Sequence, residues 1–327
     1  MPNIILNSYC NRNCIYCFAK KKNEGPYQQL SLDNLVTICD FLESSSHMNI
    51  TVLGGEPTLH PEFLLFLEYM ISRAFNITVF SNGMITTAVA RGINKLIDEW
   101  TLDVKRLRFI INVNEPKYQT VRETRMQAKT FAKLNTFSGL SFNIFEESCD
   151  MNFLPDLIQK YKLRPKIRLG LAAPIVGREN TFLPLKSYPG VAKKILRLSD
   201  RCLRDSIDLG FDCGFPLCIF SNEDIGKLYK NSVHLIFVCE PVLDIDPDLN
   251  VIYCYPLSEC QRLKLTDFKS VSDIYTHFKT LISKHDRQKG IFSECKNCPY
   301  HKNGRCDGGC KGHYLSTGFP TSLKSIS

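Results

Sequence analysis

Short apolar runs alternate with helical stripes along the first half of this chain. Six runs rich in Ile, Val, Leu and Phe read as strands: about Asn3 to Asn7, Ile50 to Leu53, Ile77 to Phe80, Leu107 to Val113, Leu140 to Phe145 and Lys166 to Leu171. Runs this short and this apolar suit strands covered on both faces. Between them apolar positions recur every three or four residues, as on one face of a helix. Ser31, a good N-cap, precedes the stripe Leu32, Leu35, Val36, Cys39 and Leu42, which makes Cys39 a core residue. Pro61 opens a second helix through Leu64, Leu67 and Ile71. A third covers about Met84 to Asp98, a fourth follows Pro116, and a fifth runs through Leu157 and Ile158. Strand–helix alternation at about 30 residues predicts a parallel sheet with helices outside it. The stretch from Ala173 to Pro189 is rich in Pro and Gly and reads as a connection to a helix through Val191, Ile195, Leu196 and Leu198. The expected organisation is a core over 1–175, a linker and bridging helix over 176–210, and a second unit over 211–327.

Ligands of parallel α/β folds sit at the C-terminal ends of strands. Two motifs fall there. Cys10-Asn11-Arg12-Asn13-Cys14-Ile15-Tyr16-Cys17 follows the first strand, and Gly54-Gly55-Glu56-Pro57 follows the second. Three closely spaced cysteines alone read as half a zinc site, but no fourth Cys or His stands near, and structural zinc takes a closed set of four. Three thiolates can instead hold three irons of a cubane and leave the fourth open, whereas electron-transfer cubanes take four.

Together and in this order, the two motifs resemble those of the radical S-adenosylmethionine (SAM) superfamily. The resemblance implies a partial (β/α)6 barrel, a [4Fe–4S] cluster on Cys10, Cys14 and Cys17, and SAM on its open iron. It implies reductive cleavage of SAM to a 5′-deoxyadenosyl radical that abstracts a substrate hydrogen. Gly54 and Gly55 would let backbone approach the ligand, Glu56 would accept from the SAM ammonium, and Tyr16 would lie against adenine. By position after their strands, Asn82, Asn112, Asn114 and Arg168 are further candidates for contacts with SAM. For Asn82 a turn-forming role, and for Arg168 an exposed basic one, stand as the plain alternatives.

The last third carries a second cysteine array: Cys213, Cys218, Cys239, Cys254, Cys260, Cys295, Cys298, Cys306 and Cys310. Cys298-Pro299-Tyr300, the ending Cys306-Asp307-Gly308-Gly309-Cys310, and Cys239 with Cys254 after Asp248-Leu249-Asn250-Val251 resemble the SPASM domain of radical SAM enzymes. The resemblance implies a small cysteine-rich α+β domain with one or two auxiliary [4Fe–4S] clusters. Asn250 stands where that pattern has glycine, the Cys298–Cys306 gap is longer, and no cysteine follows Cys310. Without Cys260 eight cysteines remain, enough for two cubanes. Cys239, Cys254 and Cys310 would join Cys213 or Cys218 around one. Cys295, Cys298 and Cys306 would take the other of that pair. The same closing spacing also suits a zinc knuckle. Cys260 is either a hydrogen donor to a substrate radical or a buried thiol. His301 and His313 read as exposed loop histidines, with cluster ligation as the alternative.

Fifteen cysteines without a signal peptide favour metal over disulfides and a cytoplasmic setting. No apolar run is long enough to span a membrane. The net charge of +8 suits an acidic electron donor of the flavodoxin or ferredoxin type, or simply a solvated basic surface. No basic-aromatic patch points to nucleic acid. The family association points first to modification of a ribosomally made precursor peptide, by crosslinking, oxidation or epimerisation. A small-molecule dehydrogenase or epimerase is the alternative, and a non-catalytic iron–sulfur or zinc module a third reading. Only nine residues precede Cys10, so leader recognition is expected to fall to a separate protein or to direct peptide binding.

Overall fold

The computed structural model describes residues 1–19, 28–232, 234–286 and 290–316. The chain begins with β1 (Asn3–Ile5), α1 (Leu32–Ser44), β2 (Asn49–Leu53), α2 (Phe63–Ser72), β3 (Asn76–Ser81), α3 (Thr87–Glu99) and β4 (Leu107–Asn112). It continues with α4 (Val121–Leu134), β5 (Ser138–Ile144), α5 (Phe153–Tyr161), β6 (Lys166–Leu171), α6 (Tyr188–Arg204) and β7 (Asp208–Phe211). Strands β1 to β7 pair in chain order, all parallel. Each consecutive pair is joined by one helix, as parallel pairing requires. Among the described residues no ladder joins β7 back to β1, so the barrel stays open.

The seventh strand is an addition to the six read from sequence. Asp208-Leu209-Gly210-Phe211 is too short and too glycine-broken to show a strand pattern, and it forms because β6 supplies its ladder. The free edge of β1 is taken by β8 (Asp244–Ile245), parallel to it, followed antiparallel by β9 (Asn250–Ile252) and β10 (Leu263–Lys264). The cysteine-rich segment is thus hydrogen-bonded into the same sheet. It adds α7 (Asn222–Asn231), α8 (Val271–Asp286), α9 (Pro299–Lys302) and α10 (Lys311–Ser316).

Helix starts follow local chemistry. Ser31 and Thr86 cap α1 and α3 by accepting from Asn34 N and Val89 N. Thr120 and Glu123 form a reciprocal capping box on α4. Pro116 therefore opens only a short 3₁₀ turn, and the helix waits for Thr120. In α1 the buried stripe is Leu35, Ile38, Cys39 and Leu42, while Leu32 faces solvent. These side chains, with Phe66, Leu67 and Met70 of α2, are fully buried against the sheet. Each such side chain stabilises the fold by roughly 1.5–3 kcal/mol. Cys149 and Cys202 join the same core, and burial pushes both thiols up to about 12.

One expectation near the C-terminus is corrected, that for His313. In the turn before β9 the left-handed residue is Leu249 (φ 60°), one position before Asn250. Asp246 Oδ1 accepts from the N–H groups of Asp248 and Asn250, and this bracing fixes the turn. His313 is not an exposed loop residue. It is buried in α10, its Nε2 lies 3.1 Å from the Tyr188 hydroxyl, and burial lowers its pKa to about 4.

An unfolded histidine titrates near 6.5, so the stability that His313 contributes as a neutral ring is complete above about pH 6.5. It is lost as pH falls through about 4, in total about 3 kcal/mol. His313→Gln should show a smaller loss of melting temperature than wild type between pH 7 and 4.5. Equal losses would contradict the assignment.

Candidate active site

The first three cysteines lie in the loop after β1, and the loop after β2 is bonded onto it. Gly55 N donates to Asn7 O (2.9 Å), and Glu56 N donates to Tyr9 O (2.7 Å). This approach needs glycine: a Cβ on Gly55 would stand 2.1 Å from Tyr9 O, and one on Gly54 2.8 Å from Asn7 O. Two asparagines reach the sulfurs. Asn82 Nδ2 lies 3.4 Å from Cys10 Sγ and also donates to Asn11 Oδ1 (2.8 Å), while Asn114 Nδ2 lies 3.8 Å from Cys14 Sγ. Burial pushes the Cys10 thiol up to about 12, against the opposing pull of the Arg12 backbone N–H and the Asn82 amide.

Tyr16 is buried and stacks on Phe145, with ring centroids 5.1 Å apart. Its hydroxyl donates to Asn114 Oδ1 and accepts from Asn112 Nδ2 (2.9 Å). Asn143 Nδ2 in turn donates to Asn112 Oδ1 (2.9 Å). A polar chain thus runs from β5 through β4 to the cysteine loop. Sequence reasoning misses Asn143, although an Asn inside a buried strand is an available signal.

Glu56 is fully buried. Its Oε1 accepts from Thr58 N (3.2 Å), Thr58 Oγ1 (2.6 Å) and Ser81 Oγ (2.9 Å), and its Oε2 accepts from Asn82 N (2.7 Å). Burial raises its pKa, against these hydrogen bonds. In this arrangement Glu56 ties the end of β3, and with it Asn82, to the glycine loop. Glu56→Ala would strand two hydroxyls and two backbone N–H groups, at about 1–3 kcal/mol for each that stays buried without a partner. We expect a lower melting temperature and weaker SAM binding together. Weaker binding at unchanged stability would make the carboxylate a ligand contact only.

Beyond this loop a cavity of about 170 Å³ opens between the sheet and the cysteine-rich segment. Phe18, Asn143, Arg168 and Asp212 line it from the barrel side, Asp244, Tyr255 and Lys311 from the other. Arg168 pairs with Asp212 and covers the Phe80 ring at 4.9 Å. Cys213, Cys239, Cys254 and Cys310 stand in the same wall. Burial raises all four thiols; Cys239 and Cys310 add to the rise of Cys213 and of Cys254, and Cys239 adds to that of Cys310. Cys218 lies instead within electrostatic reach of Cys295, Cys306 and Cys298, and is pushed up to about 11 by burial and these neighbours. The cysteines therefore gather in two sets of four, and the 213/218 pair is divided between them.

Among the described residues no three His, Cys, Asp or Glu converge tightly enough to hold a single metal ion. The donor chemistry suits a cluster: all thiols, with backbone N–H groups aimed at sulfur. Leu217 N and Gly308 N lie 3.5 and 3.3 Å from Cys306 Sγ, Lys311 N bonds Cys239, and Gly312 N bonds Cys310. Cys260 does not line the cavity; it is half-buried next to the Glu259–Arg178 ion pair.

Residues 4–133 match the Radical SAM superfamily. Over 84 residues the chain is 31% identical to the S-adenosylmethionine-dependent nucleotide dehydratase of Selenomonas ruminantium, covering 25% of this chain and 30% of that protein. The chain thus spans less than a third of that relative's length. In structure the chain is similar to SuiB of Streptococcus suis bound to S-adenosylmethionine, with a TM-score of 0.63 and 12% identity over 99% of this chain and 76% of that one. It is also similar to native anSMEcpe with bound AdoMet, with a TM-score of 0.64 and 15% identity over 100% and 92% of the two chains. Likenesses at this identity speak for the fold alone. Among the described residues no helix is long and apolar enough to cross a membrane. Residues 4–133 therefore match a radical SAM domain, within an open parallel α/β barrel that a cysteine-rich segment follows.

Proposed function

We propose that this chain is a radical SAM enzyme that modifies a ribosomally made peptide, with two auxiliary clusters behind the substrate cavity. The observation that carries the reading is the three-thiol loop clamped against Gly54-Gly55, next to a cavity that Phe18 of the same segment lines and whose wall also holds four thiols. Cys10, Cys14 and Cys17 hold the first cluster. Cys213, Cys239, Cys254 and Cys310 hold the second, and Cys218, Cys295, Cys298 and Cys306 the third. When bound, cluster and SAM supply one-electron cleavage of the sulfonium to a 5′-deoxyadenosyl radical. The chain's part is orientation and exclusion of water. Tyr16 on Phe145 offers an aromatic wall, Asn82 and Asn114 hold the loop by its sulfurs, and Arg168 with Asp212 sets charge at the cavity floor. Burial raises the Cys239 thiol, and Lys311, buried in the same wall, opposes that rise. Each buried thiol must lose a proton to ligate, so iron loading should improve with rising pH.

The peptide substrate is supported by neighbours of the same fold: SuiB bound to precursor peptide SuiA, and anSMEcpe with a Kp18Cys peptide. A small-molecule substrate is the second reading. The modest cavity with converging polar side chains favours it, as do relatives named as a nucleotide dehydratase and a 7-carboxy-7-deazaguanine synthase.

The test is anaerobic reconstitution followed by SAM and dithionite, with 5′-deoxyadenosine read by mass spectrometry. We expect 5′-deoxyadenosine, and deuterium transfer into it from a deuterated precursor peptide. Transfer from a deuterated nucleotide instead would favour the second reading. No SAM cleavage, with zinc retained in place of iron, would reject both. A protein reductant of the flavodoxin or ferredoxin type completes the cycle in this reading.

A further inference from the structure

Among the described residues Lys311 is the one buried lysine, with its side chain 9% exposed. It follows Cys310 directly and lines the cavity between the sheet and the cysteine-rich segment. An ammonium taken out of water is costly unless negative charge stands close by. Asp307 is one such charge. Its Oδ2 lies 4.0 Å from Lys311 Nζ and also accepts from Cys239 N (2.8 Å), so the carboxylate holds the lysine and a thiol-bearing backbone together.

The thiols of the wall are the others. Burial raises the Cys239 and Cys310 thiols, and the Lys311 ammonium opposes the rise at both, at Cys239 more than any other group does. The carboxylates act the other way, Asp307 on Cys239 and Asp212 on Cys310. A cubane on four thiolates is a net anion, and each electron it takes makes it more so. A buried cation at this wall is therefore what such a cluster would need.

The other cations nearby are differently placed. Arg168, on the barrel side of the cavity, is committed to Asp212. Around Cys218, Cys295, Cys298 and Cys306, the basic side chains of the segment are Lys296, Lys302 and Arg305. All three are exposed, where water and salt screen them. Burial leaves the charge of Lys311 far less screened.

We propose that Lys311 is the counter-charge of the cluster held by Cys213, Cys239, Cys254 and Cys310, and that it raises the reduction potential of that cluster. The inference rests on the cluster arrangement proposed above. Reduction adds one electron from an external reductant to the cluster, and no bond forms or breaks. The ammonium stabilises the reduced state more than the oxidised one, because the reduced state carries the greater negative charge. The outer cluster, with only exposed cations near it, gains nothing comparable.

The test is a potentiometric titration of the anaerobically reconstituted full chain with dithionite, followed by electron paramagnetic resonance. The signal missing in Cys254→Ala marks the cavity-facing cluster, and the signal missing in Cys298→Ala marks the outer one. Lys311→Met keeps the length of the side chain and removes its charge. We expect it to disfavour reduction of the cavity-facing cluster about tenfold, which is about 59 mV toward more negative potential for one electron. The outer signal should not move, and Lys311→Arg should stay near wild type. If Lys311→Met sheds the cluster instead, iron counting gives the same answer: about four irons lost in Lys311→Met and kept in Lys311→Arg supports the counter-charge.

An unmoved potential in iron-loaded Lys311→Met would overturn the proposal. So would an equal shift at both auxiliary clusters, or the same shift or iron loss in Lys311→Arg, because shape rather than charge would then be at work. Wild type that binds no iron, or a single signal lost in both cysteine variants, would reject the cluster arrangement itself.

Discussion

Cys14→Ala is expected to abolish SAM cleavage and to lower the iron content by about four per chain from about twelve. The auxiliary sets should respond differently. Cys254→Ala and Cys298→Ala should each lose about four irons while SAM cleavage by dithionite persists, because in the proposed arrangement neither supplies a ligand to the first cluster. Double variants test the division of the cysteines. Cys218→Ala/Cys298→Ala should lose no more iron than either single variant, since both remove the same cluster. Cys218→Ala/Cys254→Ala should lose about eight. The reverse pattern, with Cys213 behaving as a partner of Cys298, would contradict the two sets that the fold brings together. Iron counting with electron paramagnetic resonance on the reduced protein distinguishes the outcomes.

Gly55→Ala should be nearly as damaging, for a steric reason. Its Cβ would stand 2.1 Å from Tyr9 O, 2.4 Å from Tyr9 C and 3.0 Å from Cys10 N. All three are backbone atoms of the cysteine loop, so no side chain can swing away. Overpacking of this kind costs roughly 1–3 kcal/mol or more. The Glu56 N to Tyr9 O bond breaks as the loop moves, which adds about 1 kcal/mol. Cys10 shifts with the loop, and the first cluster should be lost or weakly held. The control is Gly226→Ala in α7, where a Cβ meets nothing within 4 Å. That variant should be neutral, or more stable by up to ~1 kcal/mol. If Gly55→Ala retained full iron and wild-type melting, the close approach of the two loops would not be what holds the site.

The six parallel strands and the helices between them were legible in sequence because they depend on local periodicity. The cysteine loop and the glycine loop were legible because each is a contiguous motif placed just after an apolar run. Cys39 could be assigned to the core from its stripe alone, and it is fully buried there. The short strand at Asp208–Phe211 was not legible, because its ladder comes from a neighbour rather than from its own pattern. Nor was the burial of His313, which depends on α10 packing against Tyr188, 125 residues away in sequence.

The sequence by itself determined which side chains this protein has for its chemistry: three thiols on one loop, eight more that the proposed reading gives to auxiliary clusters, and two glycines that permit close backbone approach. Tertiary structure alone decided how they are shared out. Cys213 and Cys218 are five residues apart, yet they face different partners because the chain turns between them through Gly214 (φ 100°) and a 3₁₀ turn at Leu217–Ile219. Asn143, Asn112 and Asn114 come from β5, β4 and the loop after β4, and they act as one chain only because β4 and β5 lie side by side. Glu56 braces the end of β3 because β2 and β3 are neighbours in the sheet, a pairing no local pattern encodes. Hydrophobic period and turn chemistry are local and can be read along the chain; ligand sets and hydrogen-bond networks depend on which segments the fold brings within a few ångströms of one another.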